Sequence, residues 1–301
     1  MTSEVKIVEC VPNFSEGRDL EKIEKIVAPL KNQQDVKLVN YEADPDYNRL
    51  VVTVMGEPQA VKKAVLEAIV AATELIDLNH HQGEHLRMGA TDVVPFIPIR
   101  NMSMAETVEL AREMGQAIYE RCAVPVFLYE EAASRPERKN LVTIRKGPFE
   151  GMAEKLKQDD WEPDFGKREI HATAGVTAVG ARMPLIAYNI DLGTDSIDIA
   201  NAIARSIRQS GGGFQYIKAG GVELKEKGIV QVTMNITDYT KNPIYRVFET
   251  VKMEAKRYGV PVLGSEIIGL TPMGALVDTA AYYLGLHDFD SSKLIESALI
   301  E

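Results

Sequence analysis

Residues 117–129 read AIYERCAVPVFLY, and residues 252–264 read KMEAKRYGVPVLG. Each stretch ends a helical segment, passes a small residue and enters a short apolar strand that begins with Val-Pro-Val. Because the two stretches lie in different halves of the chain, they indicate an internal repeat. This repeat decides how the other predicted elements are grouped into a fold.

The segments upstream of these two stretches also correspond. Residues 91–106, TDVVPFIPIRNMSMAE, and residues 229–243, IVQVTMNITDYTKNP, each predict a strand, a polar turn and the start of a helix. In the first segment, Ser103 and Glu106 match a capping box, which predicts a helix from Met104 onwards. Each half therefore predicts strand–helix–strand–strand–helix–strand, the split βαβ order of ferredoxin-like folds.

We expect an α+β protein of two ferredoxin-like (βαββαβ-type) α/β subdomains, residues 1–180 and 181–301, with mixed β-sheets and helices packed on them. The cleft between two such subdomains is a favoured place for a ligand. Residues 146–182 lie near their junction and end in the small-residue run HATAGVTAVGAR. An interdomain linker is one interpretation of this region. The small residues equally suit the close approach of a flat ligand or of another backbone.

Composition limits the class of protein. The chain has 301 residues, 45% of them hydrophobic and 26% charged, as in soluble globular proteins. The formal net charge of -10 argues against nucleic-acid binding, which requires basic side chains to neutralise phosphates. We expect no membrane partner, because the sequence contains neither a signal peptide nor a long apolar span. Cys10 and Cys122 are typical of reduced thiols, so a cytoplasmic location is predicted.

The richest set of reactive side chains lies in residues 75–100, LIDLNHHQGEHLRMGATDVVPFIPIR. His85 is the candidate catalytic residue, because an imidazole both accepts and donates protons near neutral pH. Glu84 or Asp92 would orient the ring, and Arg87 would bind a carboxylate. Two alternatives remain open. His85 serves only as a hydrogen-bonding loop residue, or it binds a metal with His81, although Gly83 and the absence of an HExxH motif count against a metal site.

Long strings of the sequence resemble one family. They are VECVPNFSEGR at 8–18, GEHLRMGATDVVPFIPIR at 83–100, VPVFLYEEAA at 124–133, EKLKQDDWEPDFG at 154–166, GARMPLIAYNI at 180–190 and GVPVLGSEIIGL at 259–270. Together they are similar to the glutamate formimidoyltransferase family. The resemblance covers nearly the whole chain. In animals the same domain is fused to a cyclodeaminase, so this chain resembles the stand-alone form.

The resemblance implies transfer of a formimino group from N-formimidoyl-L-glutamate to N5 of tetrahydrofolate, in histidine degradation. It also implies two α/β subdomains, a homodimer, tetrahydrofolate polyglutamate as co-substrate and no metal. The family's catalytic histidine is His85 here. Glu42 stands where the family has an aspartate, and Asp44 is a second candidate for that role. The implied folate-contacting residues are Gly166, Lys167, Arg168, Glu169, Ile170, His171, Ala172, Thr173, Ala174 and Gly175.

Two departures from the family pattern touch expected substrate contacts. Residues 79–82 read NHHQ where the family more often has Arg-His-His, and residues 167–171 read KREIH where the animal form has small polar residues. Formyl transfer between 5-formyltetrahydrofolate and glutamate is therefore an alternative reaction. A non-catalytic folate-binding module is an alternative of another class.

Overall fold

A computed structural model describes residues 5–297 of the chain. The protein divides into two compact units, Met1–Arg182 and Met183–Glu301. Residues 5–297 form two sheets, one of seven strands with parallel and antiparallel pairs and one of four antiparallel strands. The predicted α+β class is confirmed. No helix within residues 5–297 is long and apolar enough to cross a membrane.

The first unit contains seven strands and five α-helices in its described part. The strands are β1 (Ile7–Cys10), β2 (Asn13–Phe14), β3 (Val36–Asp44), β4 (Arg49–Gly56), β5 (Thr91–Arg100), β6 (Val126–Glu130) and β7 (Thr177–Ala181). The helices are α1 (Leu20–Val27), α2 (Pro58–Leu75), α3 (Met104–Cys122), α4 (Leu141–Arg145) and α5 (Phe149–Lys155).

In the strand order of the first sheet, the strand that comes last in the chain, β7, lies inside the edge strand β6. β1 and β2 both lie between β4 and β5, and β3 flanks β4 at one edge. At the other side, β7 lies between β5 and β6 and is parallel to both. Helices α1, α2 and α3 cover one face, where their apolar side chains form the main core with β4, β5 and β6.

The capping box at the start of α3 is present as predicted. Ser103 accepts a hydrogen bond from the Glu106 backbone, and the Glu106 carboxylate accepts one from the Ser103 backbone. These bonds satisfy donors that a helix start would otherwise leave unpaired. The helix ends at Cys122, and Ala123 adopts the left-handed conformation that starts the turn into β6.

The small-residue run near the predicted junction is a buried strand of the first sheet. All five residues of β7 are buried. A Cβ atom added at Gly180 would lie 2.6 Å from the Tyr129 ring, so only glycine permits this approach of β7 to β6. The linker interpretation is therefore wrong for residues 177–181. Their small side chains serve the approach of neighbouring backbone.

The described part of the second unit has the element order β–α–β–β–α–β, followed by one more α-helix. The elements are β8 (Ile186–Leu192), α6 (Ile197–Ile207), β9 (Ile217–Leu224), β10 (Ile229–Ile236), α7 (Ile244–Arg257), β11 (Val262–Ile268) and α8 (Met273–Leu284). The strand order is β11-β8-β10-β9. Every neighbouring pair is antiparallel, so the expectation of a mixed sheet is wrong for this unit.

The first unit contains the same order in β1/β2, α1, β3, β4, α2 and β5, and then adds α3, β6, α4, α5 and β7. The equivalent of α7 is therefore α2 and not α3. The two stretches that suggested the repeat end in strands that pair differently in their sheets. β6, from the first stretch, is parallel to its neighbour β7, whereas β11, from the second, is antiparallel to β8. The match of residues 117–129 with residues 252–264 therefore paired α3 with α7, which is the wrong pair of helices.

Candidate active site

The histidine loop, residues 77–90, connects α2 to β5 and is held on one side by the turn between β3 and β4. Asn48 donates its Nδ2 to the Gln82 carbonyl at 3.0 Å, and its own carbonyl lies 2.9 Å from His81 Nε2. The Glu84 amide donates to the Asp46 carbonyl at 3.2 Å. The turn after β3, which follows the candidate acids Glu42 and Asp44, therefore contacts the histidine loop.

The histidine loop is held on its other side by residues 171–175. The Leu78 amide donates to the Thr173 carbonyl at 2.9 Å, and the Ala90 amide donates to the Ala174 carbonyl at 3.0 Å. Asn79 Nδ2 donates to the Ala172 carbonyl at 3.0 Å. These bonds fix both ends of the histidine loop to the second half of the predicted folate segment.

The first half of that segment, residues 166–170, contacts parts of the protein outside the histidine loop. Arg168 forms ion pairs with Asp159 at 2.7 Å and with Glu162 at 3.3 Å. Lys167 and Glu169 are exposed, whereas Ile170 packs against the core. The segment 166–175 therefore joins an exposed, charged part to a part that supports the histidine loop.

His85 is paired with a buried carboxylate. Its Nε2 lies 3.3 Å from Oδ2 of Asp92, the second residue of β5, and the Asp92 side chain is 1% exposed. The Met88 amide donates to Asp92 Oδ1 at 2.9 Å, and Arg145 Nε donates to Oδ2 at 3.0 Å. Burial alone would raise the pKa of Asp92, but the His85 hydrogen bond, the Arg145 charge and the Met88 amide together lower it. Asp92 is therefore held as a carboxylate beside the ring.

Arg145 is the last residue of helix α4, and Lys155 caps the C-terminal end of this helix. Lys155 Nζ donates to the carbonyls of Thr143 at 2.9 Å, Ile144 at 2.6 Å and Lys146 at 2.9 Å. Its nitrogen also lies 3.7 Å from the centre of the Trp161 ring. Burial and the charges of Lys146 and Arg138 lower the pKa of Lys155 to about 8. Sequence reasoning identified neither Arg145 nor Lys155, since a lysine and an arginine in a polar stretch carry no signal of what they will contact.

Arg87 of the histidine loop has a carboxylate partner within the protein. Arg87 binds the carboxylate of Glu150 with two nitrogens, at 2.7 and 3.1 Å, so its predicted carboxylate partner is a side chain of this protein. Of the two acids proposed to orient His85, the buried Asp92 contacts it, and Glu84 is exposed.

Within residues 5–297, no cluster of three or more His, Cys, Asp or Glu side chains has the arrangement of a metal site.

A pocket of about 540 Å³ lies beside the turn that holds the histidine loop. Its lining consists of Glu42, Ala43, Asp44, Pro45, Tyr47, Arg49 and Val51. The two acidic candidates, Glu42 and Asp44, differ in the hydrogen bonds that their carboxylates accept. Asp44 Oδ1 accepts the amides of Asp46 at 2.9 Å and Tyr47 at 3.0 Å, so it stabilises the turn. Glu42 Oε1 accepts a hydrogen bond from Asn40 at 2.7 Å, and its Oε2 has no hydrogen-bond partner among the described residues.

The sequence of each unit matches a known protein family. The formiminotransferase domain, N-terminal subdomain, matches residues 7–182, and the formiminotransferase domain matches residues 187–300. The chain belongs to the formiminotransferase family. A glutamate formimidoyltransferase of Streptococcus pyogenes is 53% identical over 96% of this chain and 97% of the relative. One of Thermoplasma acidophilum is 44% identical over 97% of each chain.

A larger member of the formiminotransferase family matches over part of its length. The formimidoyltransferase-cyclodeaminase of Mus musculus is 42% identical over 92% of this chain, which corresponds to 52% of the mouse protein. The histidine loop, the paired Asp92 and the pocket all lie within the part of the chain that matches the N-terminal subdomain.

Proposed function

We propose that the protein is a glutamate formimidoyltransferase, which transfers the formimino group of N-formimidoyl-L-glutamate to N5 of tetrahydrofolate and releases L-glutamate. The observation that carries this proposal is the 53% identity to the Streptococcus pyogenes glutamate formimidoyltransferase over nearly the whole of both chains. Tetrahydrofolate is the co-substrate. The products are 5-formimidoyltetrahydrofolate and L-glutamate.

His85 performs the proton transfers in this reaction. Its Nε2–H donates to Asp92, which leaves Nδ1 as the nitrogen that accepts a proton. As N5 bonds to the formimino carbon, His85 takes the N5 proton. When the bond from that carbon to the glutamate nitrogen breaks, His85 returns the proton to this nitrogen, and glutamate leaves as an amine. General acid–base catalysis of this kind contributes about 10²-fold to 10⁴-fold.

Glu42 is the better candidate for the acid that stabilises the cationic formimino group. Its Oε2 is free of partners among the described residues, whereas Asp44 already binds two backbone amides.

Residues 166–175 contact the folate in this proposal. The hydrogen bonds that the histidine loop donates to the carbonyls of residues 172–174 support this role, because the segment therefore lies beside the loop that carries His85.

The homodimer and the polyglutamate form of the co-substrate are proposals that rest on the family. The cytoplasmic location is a proposal that rests on the two cysteines, which are typical of reduced thiols. The ferredoxin-like assignment is supported by the β–α–β–β–α–β order present in each unit.

The proposal is tested by mixing the protein with tetrahydrofolate and formimidoylglutamate, and by following free glutamate and the absorbance of 5-formimidoyltetrahydrofolate. We expect turnover in the wild type and in His287→Ala, and a loss of about 10²-fold or more in His85→Ala. His287 is the control, because it is an exposed histidine of the second unit that belongs to no expected substrate contact. Turnover with 5-formyltetrahydrofolate and glutamate instead would favour formyl transfer. Folate binding without either reaction would favour a binding module.

A further inference from the structure

We propose that Arg49 is the residue that binds a carboxylate group of a substrate in the pocket beside the histidine loop. The inference rests on the proposed transferase function and extends it to substrate recognition. Arg49 is the first residue of β4, directly opposite Asp44 of β3, and its side chain lines the pocket.

Arg49 is a half-buried cation without a close partner in the described part of the chain. Its Nε is buried and has no hydrogen-bond partner there. Among residues 5–297, no carboxylate lies within ion-pair distance of its guanidinium. Burial and the neighbouring Arg145 charge lower the pKa of Arg49, against the smaller opposing effect of Asp92 and Asp44.

The nearby carboxylates are already engaged. Asp92 binds Arg145, His85 and the Met88 amide. Asp44 binds the backbone of its own turn. Partial burial of an unpaired charge is unfavourable, and the buried, unsatisfied Nε calls for a specific explanation. A ligand that supplies an anion provides the missing partner.

The shape and charge of the guanidinium select the class of ligand. Its planar donors match the two oxygens of a carboxylate. Formimidoylglutamate carries two carboxylates and a formimino group that is cationic when protonated. The pocket presents the complementary charges, the Arg49 guanidinium and the Glu42 carboxylate. The glutamyl part of the folate is a second source of carboxylate, and the experiment separates the two sources.

The test compares Arg49→Gln and Arg49→Lys with the wild type in steady-state kinetics, varying each substrate in turn. Loss of a charge-assisted contact is expected to raise one KM by about 10-fold to 100-fold in Arg49→Gln, with a smaller increase in Arg49→Lys. A higher KM for formimidoylglutamate assigns the carboxylate to the donor, and a higher KM for tetrahydrofolate assigns it to the folate. Arg112→Gln, an exposed arginine paired with Glu109, is the control and leaves both KM values unchanged.

Thermal unfolding of the ligand-free protein distinguishes ligand binding from a structural role. Because Arg49→Gln removes an unpaired half-buried charge, we expect its Tm to equal or exceed that of the wild type. A lowered Tm, or unchanged KM values for both substrates, would overturn the inference. Absence of transferase activity in the wild type would refute the proposed function instead. In that case, calorimetric binding of L-glutamate to the wild type but not to Arg49→Gln would still support the carboxylate site, and equal binding would reject it.

Discussion

His85 Nε2 and Asp92 Oδ2 are 3.3 Å apart, and they are joined although one belongs to a loop and the other to a buried strand. Arg145 binds the same Asp92 oxygen from helix α4. The ring is thus oriented by a carboxylate that is itself fixed from two further directions. Such support holds one histidine tautomer in place, as second-layer carboxylates do at other histidine sites.

Replacing Asp92 by Asn should slow the reaction without abolishing substrate binding. The amide cannot stabilise the imidazolium that forms during proton transfer, so kcat should fall about 10²-fold to 10⁴-fold. The KM values should change much less. Asp290→Asn, an exposed site in the second unit, is the control. A kcat within twofold of the wild type would show that Asp92 does not orient the catalytic ring.

Asp92 should also make stability depend on pH in the acidic range. Its pKa is lower in the folded protein than in the unfolded chain, so its contribution is fully present above the unfolded pKa of about 3.9. The contribution is lost as the pH falls through the lower folded value. The free energy of unfolding of the wild type, relative to Asp92→Asn, should therefore decrease below about pH 4. A difference that stays constant from pH 7 to pH 2.5 would contradict this assignment.

Lys155→Met should destabilise the first unit, because three carbonyls at the end of α4 lose their donor. We expect a loss of about 1–3 kcal/mol at pH 7, measured by denaturant unfolding. The exposed Lys157→Met is the control. Because the folded pKa of Lys155 is about 8 and the unfolded value is higher, the unfolded chain binds more protons between them. The wild type should accordingly gain stability relative to Lys155→Met as the pH rises above about 8.

Glu42→Gln should impair catalysis more than Asp44→Asn. The uncharged amide removes the stabilisation of a cationic formimino group, so we expect kcat/KM for the donor to fall about 10-fold to 100-fold in Glu42→Gln. Asp44→Asn keeps an oxygen that accepts the two turn amides, so its activity should stay within about threefold. The reverse order of the two effects would assign the acidic role to Asp44.

Gly175→Ala should be far more harmful than Gly228→Ala. Both glycines adopt positive φ, at 68° and 63°. A Cβ at Gly175 would lie 2.2 Å from the Met88 carbonyl oxygen, whereas one at Gly228 would meet no atom within 4 Å. The conformational cost of about 1–2 kcal/mol is common to both, and the collision adds to it only at Gly175. Urea unfolding of the two variants measures the difference, and equal losses would contradict the close approach.

Local chemistry was predictable wherever it depended on neighbouring residues. The capping box at Ser103 and the strand Thr91–Arg100 are both where the sequence places them. The match of 117–129 with 252–264 failed because similar helix–strand segments fit two different positions in a sheet. Pairing partners, unlike strand propensity, depend on the whole chain.

The same distinction holds for the candidate site. Asp92 was within reach of sequence reasoning, since it lies seven residues from His85. Arg145 contacts Asp92 across 53 residues, and Lys155 acts through the helix that carries Arg145. Nothing in the spacing of these basic residues distinguishes them from the solvated lysines and arginines around them. Their contacts arise from the packing of α4 and α5 over the sheet.

The position of β7 has a consequence for biosynthesis. β6 is joined to the rest of its sheet through β7, which follows it by almost fifty residues, so β6 has no sheet to dock on until residue 181 has left the ribosome. The residues just before β7 are those that hold the histidine loop in place. A nascent chain that ends before residue 172 therefore lacks both the strand that joins β6 to its sheet and the backbone carbonyls that hold the histidine loop.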